Sequence, residues 1–504
     1  MKGCFLLQRQ FAYVGHALAR LLMERDGVKG FCGYVYVRQG FDFLTSQTEV
    51  PYGTLLLDEE IHDRYKDEVL DPAFLDRLEK DYGIPNLWPY LKVDRVLMSN
   101  QLVREYPYDR SPYTHEELLR ILQVHAKAVI GMLEKERPDF LIGSVFGGVG
   151  SLLLYHIAER MGVRTLNVLS TCIRDRWLLS GAYDTFTSVD ARMAAPDAAI
   201  ESSSAWTQAG AFLEEFRAKP IPYFKNSTPE HQSVTRRRQF RFLLPKNILR
   251  SISSYVGEVR RHLGGRERSD YDTIGPWNSL RDRLMRKARN LIGADDLYDE
   301  VVPGEEFAFF PLHYEPEVSL LLQAPFTTDQ IHLIKQIARS LPVRMKLYVK
   351  EHPVMAEYRP RSYYKELKKI HNVKLIRPTV SSYTLIPDAK LVLTITGTVG
   401  WEAILLKKPV IMFGRWFYST LPFVKRCTEM ERLPSLVKEQ LKGFRHDERE
   451  LRRFLAYIFE DSAEIDLSRI WNEERDPERK KASLAPFADL LAKTLGLTYH
   501  SSDL

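Results

Sequence analysis

From Phe307 onward the chain repeats a short apolar run followed by an amphipathic stretch, and this alternation limits the folds open to it more than any other feature. Phe307–Phe310, Met345–Val349, Val373–Ile376, Leu391–Ile395 and Val410–Phe413 have the length and composition of buried strands. Between them, helical spacing covers a segment capped by Thr327 and Gln330 and ending near Ser340, then Tyr363–Ile370, then Gly400–Leu406. Strands and helices that alternate in this way pack as a parallel, doubly wound sheet with right-handed crossovers. The first part of the chain has the same rhythm. Gly3–Leu7 predicts a strand and His16–Glu24 a helix, while Thr114 and Glu117 predict a capping box for a helix that runs to about Lys135 and breaks at Pro138. Phe140–Gly143, a turn at Gly147–Gly150, a helix over Leu152–Met161 and a strand over Arg164–Leu169 then make one βαβ unit. The expected class is therefore α/β, with two Rossmann-like lobes.

At 504 residues the chain has room for two or three domains. The expected division is 1–215 for the first lobe, 216–302 for a basic, mainly helical insertion, 303–460 for the second lobe and 461–504 for a C-terminal helical segment. The insertion stands out by charge. Arg217 to Arg289 holds 18 Lys and Arg against 6 Asp and Glu, an excess of 12 in a chain whose net charge is +6, so the remainder is net negative. Arg236, Arg237, Arg238 and Arg241, interleaved with Phe240, Phe242, Leu243 and Leu244, fit either an anionic membrane or polysaccharide contact or a plain solvated face. No recognised nucleic-acid module accompanies them, so nucleic acid is not an expected partner. No export signal or membrane-length apolar run is visible, and Cys4, Cys32, Cys172 and Cys427 lack metal-type spacing. Those features predict reduced, buried thiols and a cytoplasmic protein, peripheral at the inner membrane face if the basic run binds lipid.

In an open parallel sheet, ligands bind beyond the carboxyl ends of the strands, so the residues after each strand are the candidates for chemistry. In Thr396-Gly397-Thr398-Val399-Gly400-Trp401-Glu402 two hydroxyls and two glycines precede a helix whose free amides and positive dipole end suit a phosphate. Glu402, expected in the first helical turn, is placed to accept ribose hydroxyls. The alternative is an ordinary helix start with Thr398 as N-cap. His352, followed by Pro353 after the preceding strand, is expected to face the same crevice and to neutralise or hydrogen-bond a leaving phosphate. Lys350 and Glu351 beside it have the look of solvated neighbours. His313 and Glu317 form a third loop, as readily an ordinary polar loop as a ligand contact. In the first lobe, Asp175 between Arg174 and Arg176 is either a general base kept ionised by its cations or simply their ion-pair partner, and Arg9 and His16 follow the first strand. There is no Walker phosphate loop, HExxH pattern, Gly-x-Ser-x-Gly elbow or Asp-x-Asp pair, so no metal or cofactor is called for.

Phe310-Pro311-Leu312-His313, Leu322-Gln323-Ala324-Pro325-Phe326, Lys350-Glu351-His352-Pro353 and Thr396 through Ala403 together resemble the capsule polysaccharide biosynthesis family, which includes transferases of 3-deoxy-manno-octulosonic acid from its CMP conjugate. Arg137-Pro138-Asp139 and Arg174-Asp175-Arg176 resemble it more loosely. The resemblance implies the GT-B fold, a nucleotide-sugar donor in the second lobe and a polysaccharide or glycolipid acceptor. It also implies that His352, Pro353, Thr396 and Thr398 meet the nucleotide phosphate. It leaves open whether the donor is a CMP or a UDP sugar. It equally leaves room for a nucleotide-sugar epimerase, a polyol phosphotransferase, or a non-catalytic partner in glycan assembly.

Overall fold

Gly3–Leu7 is buried at every position, as expected of a strand covered on both faces, and it lies in the interior of the first of two sheets. The computed structural model describes residues 1–8, 11–84, 86–99, 110–221, 240–264, 274–466, 470 and 477–497. The chain forms two units. One comprises 1–97, 112–209 and 453–504, and the other 98–111 and 210–452.

In the first unit β1 (Gly3–Leu7), β2 (Phe31–Val35), β3 (Tyr52–Leu57), β4 (Phe140–Gly143) and β5 (Arg164–Ser170) run parallel in the order β5-β4-β1-β2-β3. β6 (Arg176–Ser180) joins β5 antiparallel, and Ser462–Glu464 joins β6 antiparallel at the edge. The Thr114 and Glu117 capping box is present at the start of the helix His115–Glu136, which ends at Arg137 with φ 44°. The helix after β4 starts at Val149 rather than Leu152, so Gly150 sits inside it and not in a turn. A Cβ on Gly150 would lie 1.9 Å from the Tyr34 hydroxyl oxygen, so the glycine serves close packing of helix on sheet. The C-terminal residues are not a separate segment. Leu484, Phe487, Ala488 and Leu491 of the helix Pro477–Leu495 enter the same core as Leu18 and Leu22 of the helix Phe11–Asp26, and Arg25 pairs with Asp489 across them.

The second unit holds six parallel strands, β7 (Phe307–Pro311), β8 (Lys346–Lys350), β9 (Val373–Ile376), β10 (Leu391–Thr394), β11 (Val410–Met412) and β12 (Val424–Arg426), ordered β9-β8-β7-β10-β11-β12. The chain winds outward from β7 to β9, crosses back to β10 and winds out again, so the reversal falls between β7 and β10. This is the doubly wound order in which the crevice at the reversal point receives the ligand. Leu333, Ile334 and Ile337 from one helix and Leu433 and Val437 from another cover Phe310, Leu347, Val349 and Ile411. Asp329, not Thr327, caps the helix Gln330–Ser340 by accepting the His332 amide, which releases the Gln330 side chain for another use. The basic segment is helical as expected, with helices over Pro245–Leu263 and Pro276–Ile292, and it groups with the second unit. Both lobes are thus Rossmann-like, as the alternation predicts.

Candidate functional site

At the reversal point the end of β7 meets the end of β10 through one imidazole. His313 Nε2 accepts the Thr396 amide at 3.3 Å and lies 3.3 Å from Thr394 Oγ1, which in turn accepts the Gly397 amide at 3.0 Å. Accepting at Nε2 requires the neutral ring. Burial, with the Arg359 guanidinium adding to it, pushes the His313 pKa down to about 3. His313 therefore acts as a fixed acceptor that holds the glycine loop, not as a cation for a phosphate.

The loop is shaped by close approach. A Cβ on Gly397 would come 2.9 Å from Thr394 Oγ1 and 3.0 Å from His313 Nε2, and one on Gly400 would come 2.4 Å from the Tyr418 hydroxyl oxygen. That hydroxyl donates to the Gly397 carbonyl at 2.5 Å. The helix Thr398–Leu405 takes Gly397 as its N-cap with no side-chain cap, so Thr398 is its first residue and not its cap. The amides of Thr398 and Val399 have no intrahelical acceptor by position, and they form the positive end of the helix. The Thr396 hydroxyl donates to the Ser319 carbonyl at 3.0 Å, which spends its proton inside the protein. Glu317 occupies the N-cap position of the short turn Val318–Leu321 without a side-chain cap, and its carboxylate accepts the Ser319 hydroxyl at 2.7 Å. The corresponding turn in the first unit is already occupied, because Asp94 accepts the Val149 amide at 3.3 Å and those of Val96 and Leu97 besides.

Glu402 is the fifth residue of its helix, not part of the first turn, and it is buried with its carboxylate accepting the Tyr383 hydroxyl at 2.7 Å. Burial drives its pKa up to about 7, against the opposing Tyr383 hydrogen bond and the Lys350 charge. Lys350 is buried too, and burial drives it down to about 8 against Glu351 and Glu402. Neither Lys350 nor Glu351 is a solvated neighbour. Glu351 accepts Arg359 Nη1 and the His352 amide, while Arg359 Nε reaches Glu315 at 3.0 Å and Nη2 the His313 carbonyl at 2.7 Å. Gln330, freed from capping, accepts the His313 amide at 2.7 Å and donates to Glu315 at 2.7 Å. Two cations thus share the interior with three carboxylates, and a proton taken up on Glu402 below about pH 7 would balance the set. The His352 Nδ1 accepts the Val354 amide at 3.3 Å, so in the neutral ring Nε2 carries the proton. The ring lies 6.0 Å from that of Tyr314, with Pro353 half-buried beside it. Beside the carboxyl ends of β8 and β9, Arg359, Tyr298, Tyr364 and Arg377 border a cavity of about 500 Å³ with largely apolar walls.

The first-unit candidates depart from expectation. Asp175 sits in the β5–β6 connection at φ 51°, its carbonyl accepting the Ile465 amide at 2.6 Å. Its carboxyl pKa is raised by burial, with Asp466 and Glu464 adding to it against Arg174, so the flanking cation does not outweigh burial and the neighbouring acids. Arg176 turns instead to Ser462 Oγ at 3.0 Å and lies over the Phe459 ring, while Arg174 is exposed. His16 is within a helix, packed on Phe43 and 3.1 Å from Glu49, with its pKa lowered by burial. Arg9 lies outside the described residues. All four cysteines are buried thiols, and none forms a disulfide. Among the described residues no cluster of three or more His, Cys, Asp or Glu is placed to hold a metal.

Residues 280–423 match the family model described as capsule polysaccharide biosynthesis protein, which bears out the resemblance over that stretch. Protein FixF of Sinorhizobium fredii (strain NBRC 101917 / NGR234) is 30% identical over 163 residues, 32% of this chain and 38% of that relative, so the match spans well under half of the relative's length. Among solved structures, the Thermosulfurimonas dismutans KpsC beta Kdo 2,4 transferase aligns at 14% identity with 66% of this chain and 83% of its own (TM-score 0.36). The Neisseria meningitidis UDP-GlcNAc 2-epimerase bound to UDP-GlcNAc aligns at 12% identity with 99% of this chain and 100% of its own (TM-score 0.28).

Proposed function

We propose that this chain, with the capsule polysaccharide biosynthesis signature in its second unit, is a glycosyltransferase that moves a sugar from a nucleotide donor to a surface polysaccharide or its lipid-linked primer. The observation that carries the reading is the helix start at Thr398. It lies at the reversal point of a doubly wound sheet, has no side-chain cap, and is held in place by His313 and Tyr418. In this reading the donor phosphate sits on the Thr398 and Val399 amides and on the Thr398 hydroxyl, and the His352 Nε2–H donates to the departing phosphate. Stabilising charge in this way asks for no metal, so turnover persists with a chelator present.

Glu402 and Lys350 form the buried floor, their opposed charges keeping the interior near neutrality as the anionic phosphate arrives above it. The cavity bordered by Arg359 falls within the volume range of small-molecule sites and accommodates the donor's base or sugar. Asp175 in the first unit, with its raised pKa, is the proposed acceptor base, and displacement inverts the anomeric centre.

The test is incubation of the purified protein with labelled CMP-, UDP- and GDP-sugars, with and without a glycan primer, followed by chromatography of all products. Primer-dependent transfer supports the reading. Isomerised donor without transfer would replace it with epimerisation, and an untouched donor with a non-catalytic role. A product of retained configuration would remove the inverting course alone.

A further inference from the structure

The helices Pro245–Leu263 and Pro276–Ile292 present apolar side chains to solvent on a scale that monomeric surfaces rarely carry. On the first, Ile248, Leu249, Ile252, Val256 and Leu263 are all exposed, Leu249 at 68%. Their spacing places them on one stripe about a third of the way around the helix. On the second, Trp277, Leu284, Met285, Leu291 and Ile292 form a similar stripe, with Trp277 at 73% and Ile292 at 66%. No residue of the first helix is buried. The two helices touch through Arg283 and Glu258 at 2.7 Å, and Lys287 lies over the Phe242 ring.

Charge decides what covers these stripes. Residues 240–264 and 274–292 carry ten Lys and Arg against two Asp and Glu, a net of +8. Both acids are committed locally, Glu258 to Arg283 and Asp282 to Arg286 at 2.9 Å. A second copy of the same surface would be repelled by this charge, whereas an anionic bilayer satisfies both apolar stripes and basic flanks. None of the described helices is long and apolar enough to cross a membrane, so the geometry is that of helices lying in the interface.

We propose that the two helices Pro245–Leu263 and Pro276–Ile292 form an in-plane anchor, their apolar stripes at the acyl boundary of an anionic lipid surface and their basic residues among the headgroups. Met285 and Ile292 of the second helix also line the cavity bordered by Arg359, but the test of the anchor needs no turnover. It also moves the membrane contact expected from sequence. Arg236, Arg237 and Arg238 lie outside the described residues, and Arg241 is exposed at the entry to the first helix.

The experiment is flotation of the full chain with phosphatidylcholine vesicles with and without phosphatidylglycerol, at low and high salt. Wild type is expected to float only with the anionic vesicles, and the bound fraction to fall roughly tenfold as salt shortens the screening length. Leu249→Asp with Ile252→Asp, both at exposed positions, should remove binding at least tenfold with an unchanged melting temperature. Trp277 emission should shift to the blue on binding, a change absent from Trp277→Phe. Failure to float at low salt overturns the proposal. So does an Asp double variant that floats like wild type, which would mean electrostatic adsorption only. Salt-resistant self-association abolished by the same substitutions would assign the stripes to a second copy instead.

Discussion

Glu402→Gln removes one titrating carboxyl from the buried set while keeping an oxygen to accept the Tyr383 hydroxyl. Glu402 titrates at about 7 in the folded chain against a usual 4.5, and burial is the cause. Raising an acid's pKa means that the folded state holds its proton more tightly than the unfolded state. The resulting stability is fully present below pH 4.5 and is lost as pH rises to about 7. At about 1.4 kcal/mol per unit, this loss is about 3 kcal/mol across the window. Lys350 works from the other side. Its pKa is lowered from 10.5 to about 8, so its stability term is present above pH 10.5 and is lost as pH falls through 8. The second unit is therefore weakest between pH 7 and 8, on account of this pair, and Glu402→Gln should flatten the acid limb of that profile. The assay is urea unfolding at pH 5 and pH 7.5, read by hydrogen exchange in peptides from β8 and β10 because a two-unit chain need not unfold in one step. Wild type should lose about 2 kcal/mol more than the variant between the two conditions, since part of the term is already lost at pH 5. Parallel losses would mean that Glu402 is ionised throughout and that the buried charges balance some other way.

Arg359→Met leaves Glu351 buried without its cation and should cost about 3 to 5 kcal/mol, seen as a lower urea midpoint in the second unit; a change under about 1 kcal/mol would contradict the pairing. Gly400→Ala drives a Cβ into the Tyr418 hydroxyl and should cost about 1 to 3 kcal/mol, with partial recovery in Gly400→Ala with Tyr418→Phe, measured by thermal unfolding. Asp175→Asn should lower kcat of transfer with donor affinity unchanged, and an unaltered kcat would remove it as the base. His352→Ala should weaken nucleotide binding by calorimetry with little shift in the melting temperature, since the half-buried ring accepts the Val354 amide of its own turn and lies beside the Tyr314 ring.

The alternation of apolar runs and helical spacing was enough to locate every strand of the second sheet except β12, because parallel strands covered on both faces are continuously apolar. β12 (Val424–Arg426) has one buried residue and two charged ones, and its pairing with β11 supplies what its composition lacks. The glycine loop was legible for the same reason as the strands, as a polar interruption at a strand end. Its support was not. Arg359, Gln330, Glu315 and Tyr383 act through partners 8 to 46 residues away, and nothing in their local spacing announces those partners. Lys350 and Glu351 did carry a signal: they directly follow the buried apolar run Leu347–Val349 of β8, so their charges had to be met inside the protein. What the Arg174-Asp175-Arg176 run does not show is that neighbours in sequence need not be neighbours in space. Alternating side chains and the antiparallel return of β6 send Arg176 to Ser462 instead.

The central claim is that backbone amides at the start of the helix Thr398–Leu405 bind the donor phosphate. Thr398→Pro tests it most directly, because proline is accommodated at the first helical position and Gly397, at φ −71° and ψ 153°, already has the conformation favoured before proline. The substitution deletes one amide and one hydroxyl and leaves the fold intact. Titration calorimetry with CMP, UDP, CDP and GDP should show one nucleotide class binding wild type, with Thr398→Pro weaker by roughly tenfold to a hundredfold, as expected for loss of a hydrogen bond to a charged group. Equal affinity for wild type and a folded Thr398→Pro would place the phosphate elsewhere and contradict the account.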